Sequence, residues 1–126
     1  MSALPIRILL VDDERDFVEM LSLRLAERGE HVMTAFSGRE CLEILSREAV
    51  DVVILDIRMP GMDGIETLRR IKQAHPRVEV ILLTGHGTTQ TAMEGVRLGA
   101  LDYFLKPADF EDLTARLERL RRTADA

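Results

Sequence analysis

The sequence predicts an α/β fold with a single doubly wound, five-stranded parallel sheet and five helices on its two faces. Five short apolar segments alternate with five segments of helical periodicity, and the links between them are short. Such alternation implies a parallel sheet, because right-handed crossovers between its strands are nearly obligatory. The most apolar segment, residues 52–55, is an unbroken run of Val, Val, Ile and Leu, which is typical of a strand buried on both faces.

Composition excludes several classes of protein. The chain has 126 residues and is 46% hydrophobic, which suits one compact domain. Its net charge of -5 argues against a nucleic-acid-binding surface, which needs a basic patch. No segment approaches the roughly 20 apolar residues that cross a membrane. The single cysteine, Cys41, cannot form an internal disulfide, so we expect a small core residue and a cytoplasmic protein.

The first part of the chain predicts two strands and two helices. The strand at residues 6–11 runs directly into Asp12-Asp13-Glu14. A helix follows, and Gly29 ends it. Residues 31–35 form a weaker second strand, and Ser37 opens the next helix in a capping box with the Glu three residues later. The apolar positions that indicate these two helices are Phe17, Leu21, Leu25, Cys41, Leu42 and Leu45.

The central strand ends at Asp56, and Pro60 and Gly61 break the pattern after it. Taken alone, Asp56 is equally consistent with a residue that begins a turn or caps a helix. The third helix follows and ends before Pro76. Its apolar positions are Ile65, Leu68 and Ile71, and its predicted exposed positions are Arg69, Arg70 and Lys72.

The last part of the chain predicts two strands and two helices. Residues 78–83 form a strand that ends at Thr84, and residues 101–105 form one that ends at Lys106. Thr88 or Thr89 caps the helix between these strands, and Gly99 ends it; Asp109 caps the last helix. Their apolar positions are Ala92, Met93, Val96, Leu113, Leu117 and Leu120, with Met93 interpreted as core packing. The cluster Arg116, Arg119, Arg121 and Arg122 favours a solvated face that complements the helix dipole.

Four of the five predicted strands end in polar side chains with compatible chemistry. They are Asp12 with Asp13, then Asp56, Thr84 and Lys106. Because the carboxyl ends of parallel strands share one edge, these groups converge on the crevice where open α/β sheets bind ligands, if the first and third strands are neighbours.

Three carboxylates in one pocket require compensation. Two like charges about 4 Å apart repel by roughly 4 kcal/mol at an effective dielectric near 20. Lys106 offsets part of this, and a divalent cation or a retained proton must offset the rest. Oxygen ligands without His or Cys favour Mg²⁺. An Asp beside Mg²⁺, a hydroxyl and an ammonium is equipped as a nucleophile for phosphoryl transfer, which makes Asp56 the candidate phosphoacceptor.

These residues carry a family resemblance. The chain resembles the receiver domain of two-component response regulators over essentially its whole length, 1–126, with 121–126 as a tail or the start of a linker. The matching positions are Asp12-Asp13, Asp56 followed by Met59-Pro60-Gly61-Met62-Asp63-Gly64, Thr84-Gly85, Tyr103 and Lys106-Pro107. The resemblance implies a flavodoxin-like sheet with strand order 2-1-3-4-5.

The resemblance also implies a role for each matching residue. Asp56 would be phosphorylated, Thr84 and Lys106 would contact phosphoryl oxygens, and the Lys106-Pro107 bond would be cis. The implied Mg²⁺ ligands are Asp13 directly, Asp12 mostly through water, Asp56 and the backbone carbonyl of Arg58. The side chains at Arg58 and His86 occupy positions that tune the lifetime of the phosphoryl group.

The expected function is a phosphorylation-dependent switch rather than a turnover enzyme. A sensor histidine kinase or histidine phosphotransfer protein would be the phosphoryl source. Thr84 and Tyr103 would couple phosphorylation to the surface formed by the fourth helix, fifth strand and fifth helix, which would contact an effector or output domain. Dimerisation through the last helices stays open.

Several alternatives stay open. The chain could be a receiver excised from a longer transcriptional regulator, with an output domain after residue 126. A Mg²⁺-dependent phosphatase of the haloacid dehalogenase type also uses a strand-end Asp, but it requires a second Asp where Arg58 stands. A flavin binder shares the fold, but the acidic run after the first strand would repel a phosphate, and no G-x-G-x-x-G or P-loop motif occurs. Tyr103 could be half-buried packing, and His86 an exposed loop residue.

Overall fold

The computed structural model describes residues 5–59, 62–85, 89–106 and 110–125. Within these ranges five strands alternate with five helices, as the sequence predicts. In chain order they are β1 Arg7–Val11, α1 Arg15–Glu27, β2 His31–Ala35, α2 Gly38–Leu45, β3 Val52–Asp56, α3 Gly64–Ala74, β4 Glu79–Thr84, α4 Thr89–Arg97, β5 Asp102–Leu105 and α5 Phe110–Asp125.

The strands form one parallel sheet in the order β2-β1-β3-β4-β5, which confirms the predicted fold and strand order. Because every strand runs the same way, the carboxyl ends of all five lie along one edge. β1 and β3 are neighbours, with Val11 level with Leu55. Asp12 and Asp56, which follow those two residues, are therefore brought to the same point of the edge.

The sheet separates two apolar cores. Leu9, Val53 and Leu55 point into the core covered by α2, α3 and α4, whereas Ile8 and Ile54 point into the core covered by α1 and α5. The helices that follow β1 and β3 thus lie on opposite faces, which is the condition for a crevice at this edge. Residues 52–55 are all fully buried, as expected of a central strand with helices on both sides.

The described helix ends have the predicted capping and terminating residues, with one difference in the capping box. Gly29 and Gly99 adopt positive φ angles, +92° and +116°, after α1 and α4. Ser37 Oγ accepts the Glu40 N–H at 3.1 Å, as the capping box predicts. The Glu40 carboxylate accepts instead from the Phe36 N–H, at 3.4 Å. The proposed caps Thr88 and Asp109, and the turn residues Pro60 and Gly61, lie outside the described residues.

Two predictions about side chains of α3 and α4 are wrong. Met93 is 47% exposed rather than part of the core, because α4 packs through its small residues, Ala92 and Gly95. A Cβ on Gly95 would lie 2.4 Å from Leu82 Cδ1, so α4 lies close to β4 and its bulky residues face outward. Lys72 is not on the solvated side of α3: its ammonium donates to the Val78 carbonyl at 2.8 Å.

The helix α5 continues to Asp125, and whether residues 121–126 form a tail or the start of a linker stays a prediction. One arginine of α5 differs from expectation. Arg121 does not lie on a solvated face, because its side chain is 19% exposed and forms ion pairs with Glu30 and Glu118. Glu30 is itself buried and accepts the Ile6 N–H at 3.3 Å. None of the described helices has the length and apolar composition needed to span a bilayer.

Gly64 allows the turn after β3 to fold back on Asp56. Its N–H donates to the Ile57 carbonyl at 2.9 Å, which closes the turn. A Cβ built on Gly64 would lie 2.5 Å from the Asp56 carbonyl oxygen and 2.6 Å from the Ile57 Cα. Both are backbone atoms that cannot rotate away, so the turn needs glycine at this position.

We expect Gly64→Ala to lower the free energy of unfolding by about 1–3 kcal/mol, the usual effect of overpacking. Chemical denaturation monitored by circular dichroism measures it. Gln73→Ala, on the exposed side of the same helix, is the control and should stay within about 0.5 kcal/mol of the parent. Equal stability of the two variants would contradict the close approach of Gly64 to the Asp56 backbone.

Candidate functional site

The first acidic residues of the site follow β1. Asp12 is fully buried, and its N–H donates to the Ala35 carbonyl at 3.2 Å, which continues the pairing of β1 with β2. Its Oδ1 accepts the Glu14 N–H at 3.0 Å, so this carboxylate also shapes the start of α1. Asp13 is exposed. The acidic run thus presents one buried and one solvated carboxylate at the same strand end.

Asp56 is the last residue of β3 and is only 5% exposed. Its Oδ1 accepts the Arg58 N–H at 3.3 Å. The next residue, Ile57, donates its N–H to the Leu83 carbonyl at 3.1 Å, which holds the chain after Asp56 against β4. These backbone bonds fix a buried carboxylate at the edge of the sheet.

Asp12, Asp13 and Asp56 form an acidic cluster. One carboxylate oxygen from each of the three lies within 4.8 Å of the other two. The donor set consists of oxygen atoms, which suits a hard divalent cation such as Mg²⁺. The three residues therefore fit the magnesium site that the sequence predicts; the orientation of the Arg58 carbonyl toward it stays a prediction.

Lys106 supplies a positive charge at the same place. Its Nζ lies 2.8 Å from Asp12 Oδ2 and 4.0 Å from Asp56 Oδ2, and it also forms an ion pair with Glu14. The Lys106 N–H donates to the Thr84 carbonyl at 2.6 Å, which ties the end of β5 to the end of β4. This side chain, from the edge strand, therefore reaches across to carboxylates on β1 and β3.

Thr84 ends β4 as a fully buried residue. Within the described part of the chain, its Oγ1 has no hydrogen-bond partner. A buried hydroxyl without a partner is unfavourable by about 1–3 kcal/mol, and such groups are uncommon in folded proteins. An acceptor that entered the site beside Thr84 would remove this cost.

The acidic residues change one another's proton affinity. Burial, followed by repulsion from Asp12, raises the pKa of Asp56 to about 7, although the charge of Lys106 and the Arg58 hydrogen bond oppose the change. Burial also raises the pKa of Asp12, against the hydrogen bond from Lys106. Burial lowers the pKa of Lys106, but its contacts with Asp12 and Glu14 outweigh that effect and leave it raised. Lys106 is therefore the cationic member of the site.

The structure brings together most of the residues that the sequence selects for the site. Asp12, Asp13, Asp56 and Lys106 are in mutual contact or close to it, and Thr84 is joined to Lys106 through the backbone. The predicted site residue His86 and the Lys106-Pro107 bond lie outside the described residues.

The two remaining predicted residues, Tyr103 and Arg58, do not belong to the cluster of charged side chains. Tyr103 lies on β5, level with Leu82 of β4, and packs half-buried against the core under α2, α3 and α4. This position suits both a switch residue and simple packing. The Arg58 side chain is exposed next to the site.

Two residues of the site were missed by sequence reasoning. Glu14 contacts Lys106 although 92 positions separate them. The Phe17 ring lies over the same ammonium, with 4.6 Å between Nζ and the ring centroid. Glu14 belongs to the visible acidic run, but nothing in the sequence indicates which of its carboxylates faces Lys106. Phe17 reads only as an apolar position of α1.

The fold and this arrangement of side chains define a response regulator receiver domain. The profile of that family, described as the response regulator receiver domain, matches residues 8–118. The match covers most of the chain and includes every residue of the acidic cluster as well as Thr84 and Lys106. The chain therefore belongs to the receiver domain family of two-component signal transduction.

Curated relatives are longer proteins. The chain is 42% identical over 114 residues to the transcriptional regulatory protein ZraR of Escherichia coli strain K12, covering 90% of this chain and 26% of that protein. It is 42% identical over 113 residues to the regulatory protein AtoC of the same strain, covering 90% of this chain and 24% of that protein. The chain thus spans about a quarter of the length of these relatives.

Solved structures agree with this assignment. A response regulator receiver domain protein from Clostridium thermocellum superimposes with a TM-score of 0.90 at 34% identity, covering 95% of this chain and 97% of that one. The receiver domain of NtrX from Brucella abortus gives a TM-score of 0.86 at 36% identity, covering 92% and 98%. Both similarities extend over nearly the whole of each chain.

The raised pKa of Asp56 predicts a pH-dependent stability in the absence of metal. Below about pH 3 the carboxyl is protonated in both the folded and unfolded states. As the pH rises toward about 7, the unfolded state loses this proton before the folded state does, so the contribution of Asp56 to stability is lost. Asp56→Asn, which stays neutral, should unfold at a higher temperature than the parent at pH 8, and this difference should be smaller at pH 5, where only part of the loss has occurred.

The difference at pH 8 should amount to a few kcal/mol at most. Thermal unfolding in buffers with EDTA measures it, and Asp51→Asn, at the other end of β3, is the control. The pKa of Asp51 is lowered by its hydrogen bond to Arg7, so this variant should be destabilised at pH 8. A gap between the parent and Asp56→Asn that is the same at both pH values would contradict the raised pKa.

Proposed function

We propose that Asp56 accepts a phosphoryl group and that phosphorylation switches the output surface of this receiver domain. The observation that supports this most strongly is the position of Asp56, a buried strand-end carboxylate close to two further carboxylates and a lysine ammonium. Asp56 pairs with Leu83, so Thr84 follows at the adjoining strand end, and its buried hydroxyl has no hydrogen-bond partner among the described residues. A nucleophile needs this environment to attack phosphorus in line while cationic and hydrogen-bonding groups contact the equatorial oxygens.

In the proposed reaction a carboxylate oxygen of Asp56 forms a bond to phosphorus as the bond between phosphorus and the donor breaks. Lys106 pairs with one phosphoryl oxygen, and the Thr84 hydroxyl donates to another. Mg²⁺, held by Asp12, Asp13, Asp56 and the Arg58 carbonyl, would supply positive charge that offsets both the carboxylates and the phosphoryl group. The same charge favours the ionised form of Asp56 that must attack.

The proposed output follows from the pairing of β4 with β5. Thr84 lies level with Leu105, and Tyr103 lies two residues earlier on the same strand. When Thr84 turns toward the phosphoryl group, it vacates space that Tyr103 can enter, and the surface of α4, β5 and α5 changes. That surface already exposes Met93, Val96 and Leu105. Arg58 and His86 are the proposed tuners of phosphoryl lifetime.

The proposed phosphoryl donor is a sensor histidine kinase or a histidine phosphotransfer protein in the cytoplasm. We propose that residues 1–126 act as the receiver unit of a regulator whose output domain or effector responds to α4, β5 and α5. The similarity to ZraR, a transcriptional regulatory protein, and to AtoC, a regulatory protein, both about four times as long as this chain, supports this proposal. As a switch, the domain assists its own phosphorylation and dephosphorylation without acting as a turnover enzyme.

Incubation with acetyl phosphate and Mg²⁺ should add one phosphoryl group to the protein, as measured by intact mass. Asp56→Asn should gain none, and EDTA should abolish the gain in the parent. Asp51→Asn is the matched control, because it removes a carboxylate from the opposite end of the same strand. Uptake by Asp56→Asn, or loss of uptake in the control, would contradict the proposal.

Mg²⁺ should stabilise the unphosphorylated domain through the acidic cluster. At a Mg²⁺ concentration ten times the dissociation constant, the free energy of unfolding should rise by about 1.4 kcal/mol. Asp13→Asn should lose most of this increment, because Asp13 is a predicted direct ligand. Asp16→Asn, an equal change in charge in the first turn of α1, should keep it. The Mg²⁺-induced shift in Tm of each variant, relative to its own metal-free sample, measures the effect; equal shifts would exclude this site.

A further inference from the structure

The ammonium of Lys106 is held mainly from the α1 side of the site. Its Nζ lies 2.8 Å from Asp12 Oδ2 and in contact with the Glu14 carboxylate, but 4.0 Å from Asp56 Oδ2. The Phe17 ring covers a further side of the same group. In this arrangement Lys106 lies closer to the carboxylates of Asp12 and Glu14 than to that of the proposed phosphoacceptor.

The Glu14 carboxylate is available to contact Lys106 because it does not cap α1. Glu14 is the N-cap residue of α1, yet its side chain forms no capping hydrogen bond. Its backbone is fixed instead, because the Glu14 N–H donates to Asp12 Oδ1 at 3.0 Å. A Ser, Thr, Asp or Asn at this position would use its side chain to cap the helix. The side chain of Glu14 extends toward Lys106 while remaining 66% exposed.

We infer that Glu14 is a positioning residue that competes with the incoming phosphoryl group for the ammonium of Lys106. The inference rests on the proposed function, in which Lys106 pairs with a phosphoryl oxygen on Asp56. For that contact to form, the ammonium must move away from Glu14 toward Asp56. Glu14 thus favours the unphosphorylated arrangement of the site.

The exposure of Glu14 limits the size of the effect. Lys106 is 13% exposed and Asp12 is fully buried, so their pairing is little screened, whereas the Glu14 carboxylate is surrounded by solvent. Exposed ion pairs are weak and are screened by salt. Glu14 therefore slows phosphorylation without preventing it. Neutralising it should increase the rate by about two- to five-fold at low ionic strength.

The test compares Glu14→Gln with Glu19→Gln, which removes the same charge from an exposed position farther along α1. The initial rate of phosphoryl uptake from acetyl phosphate with Mg²⁺ is followed by intact mass. Glu14→Gln should be faster than the parent, and Glu19→Gln should match the parent. The advantage of Glu14→Gln should shrink as salt is raised, which a purely structural effect of the substitution would not produce.

A second readout uses the unphosphorylated protein. The chain contains two lysines, Lys72 and Lys106, so a spectrum of ¹⁵N-lysine ammonium groups has two signals to assign, and Lys72→Arg assigns them. Glu14→Gln should shift the Lys106 signal and leave the Lys72 signal in place. Glu19→Gln should leave both unchanged.

The outcomes separate this inference from the proposed function. If the parent and Glu19→Gln take up no phosphoryl group, the proposed function fails, and with it the competition. If they do take it up, a Glu14→Gln rate equal to or below that of the parent overturns the inference alone. An unchanged Lys106 signal in Glu14→Gln also overturns it, because Glu14 would then not hold the ammonium.

Discussion

Repulsion between buried carboxylates is the constraint on which the rest of this site depends. Oxygens of the buried Asp12 and Asp56 and of the exposed Asp13 lie within 4.8 Å of one another. Two like charges at that distance repel by about 3.5 kcal/mol at an effective dielectric near 20, and by less where one of them is exposed to solvent. The sheet imposes the proximity, because β1 and β3 are neighbours and run in the same direction. Burial is the main cause of the raised pKa of Asp56, and repulsion from Asp12 adds to it, while the contacts of Lys106 offset the same negative charge.

The surrounding fold prevents Asp12 and Asp56 from moving apart to reduce this repulsion. The Asp12 N–H donates to β2, and the Asp12 carboxylate accepts the Glu14 N–H at the start of α1, while the chain after Asp56 is held to β4. Behind both residues lies a fully buried strand, β3, whose apolar side chains anchor it in the two cores. The repulsion is therefore relieved by the charge of Lys106, by a proton on Asp56, or by a cation, and not by separation of the strands. A site of this kind responds strongly to added charge.

The sequence predicts those parts of this arrangement that depend on the order and spacing of apolar and polar residues along the chain. The alternation of apolar segments gives the five strands and helices, and parallel strands necessarily bring Asp12, Asp56, Thr84 and Lys106 to one edge. Whether a single apolar side chain faces the core or the solvent is less predictable. Met93 is apolar and helical, but Ala92 and Gly95 bring α4 so close to β4 that Met93 faces solvent. Only the tertiary packing shows that the face of α4 with the small residues, and not the face with Met93, lies against the sheet.

Ion pairs between residues far apart in the chain are the other feature that the sequence does not reveal. Glu14 and Lys106 are 92 residues apart, and Glu30 and Arg121 are 91 apart. Glu14 lies in an acidic run whose members look equivalent in the sequence, yet Asp12 is buried, Asp13 is exposed and joins the acidic cluster, and Glu14 reaches the lysine. The difference arises because Asp12 still pairs with β2 through its backbone, whereas Glu14 is the N-cap residue of α1. Three adjacent carboxylates thereby acquire three roles. Of the two that contact Lys106, the exposed Glu14 can release it at a smaller energetic cost than the buried Asp12.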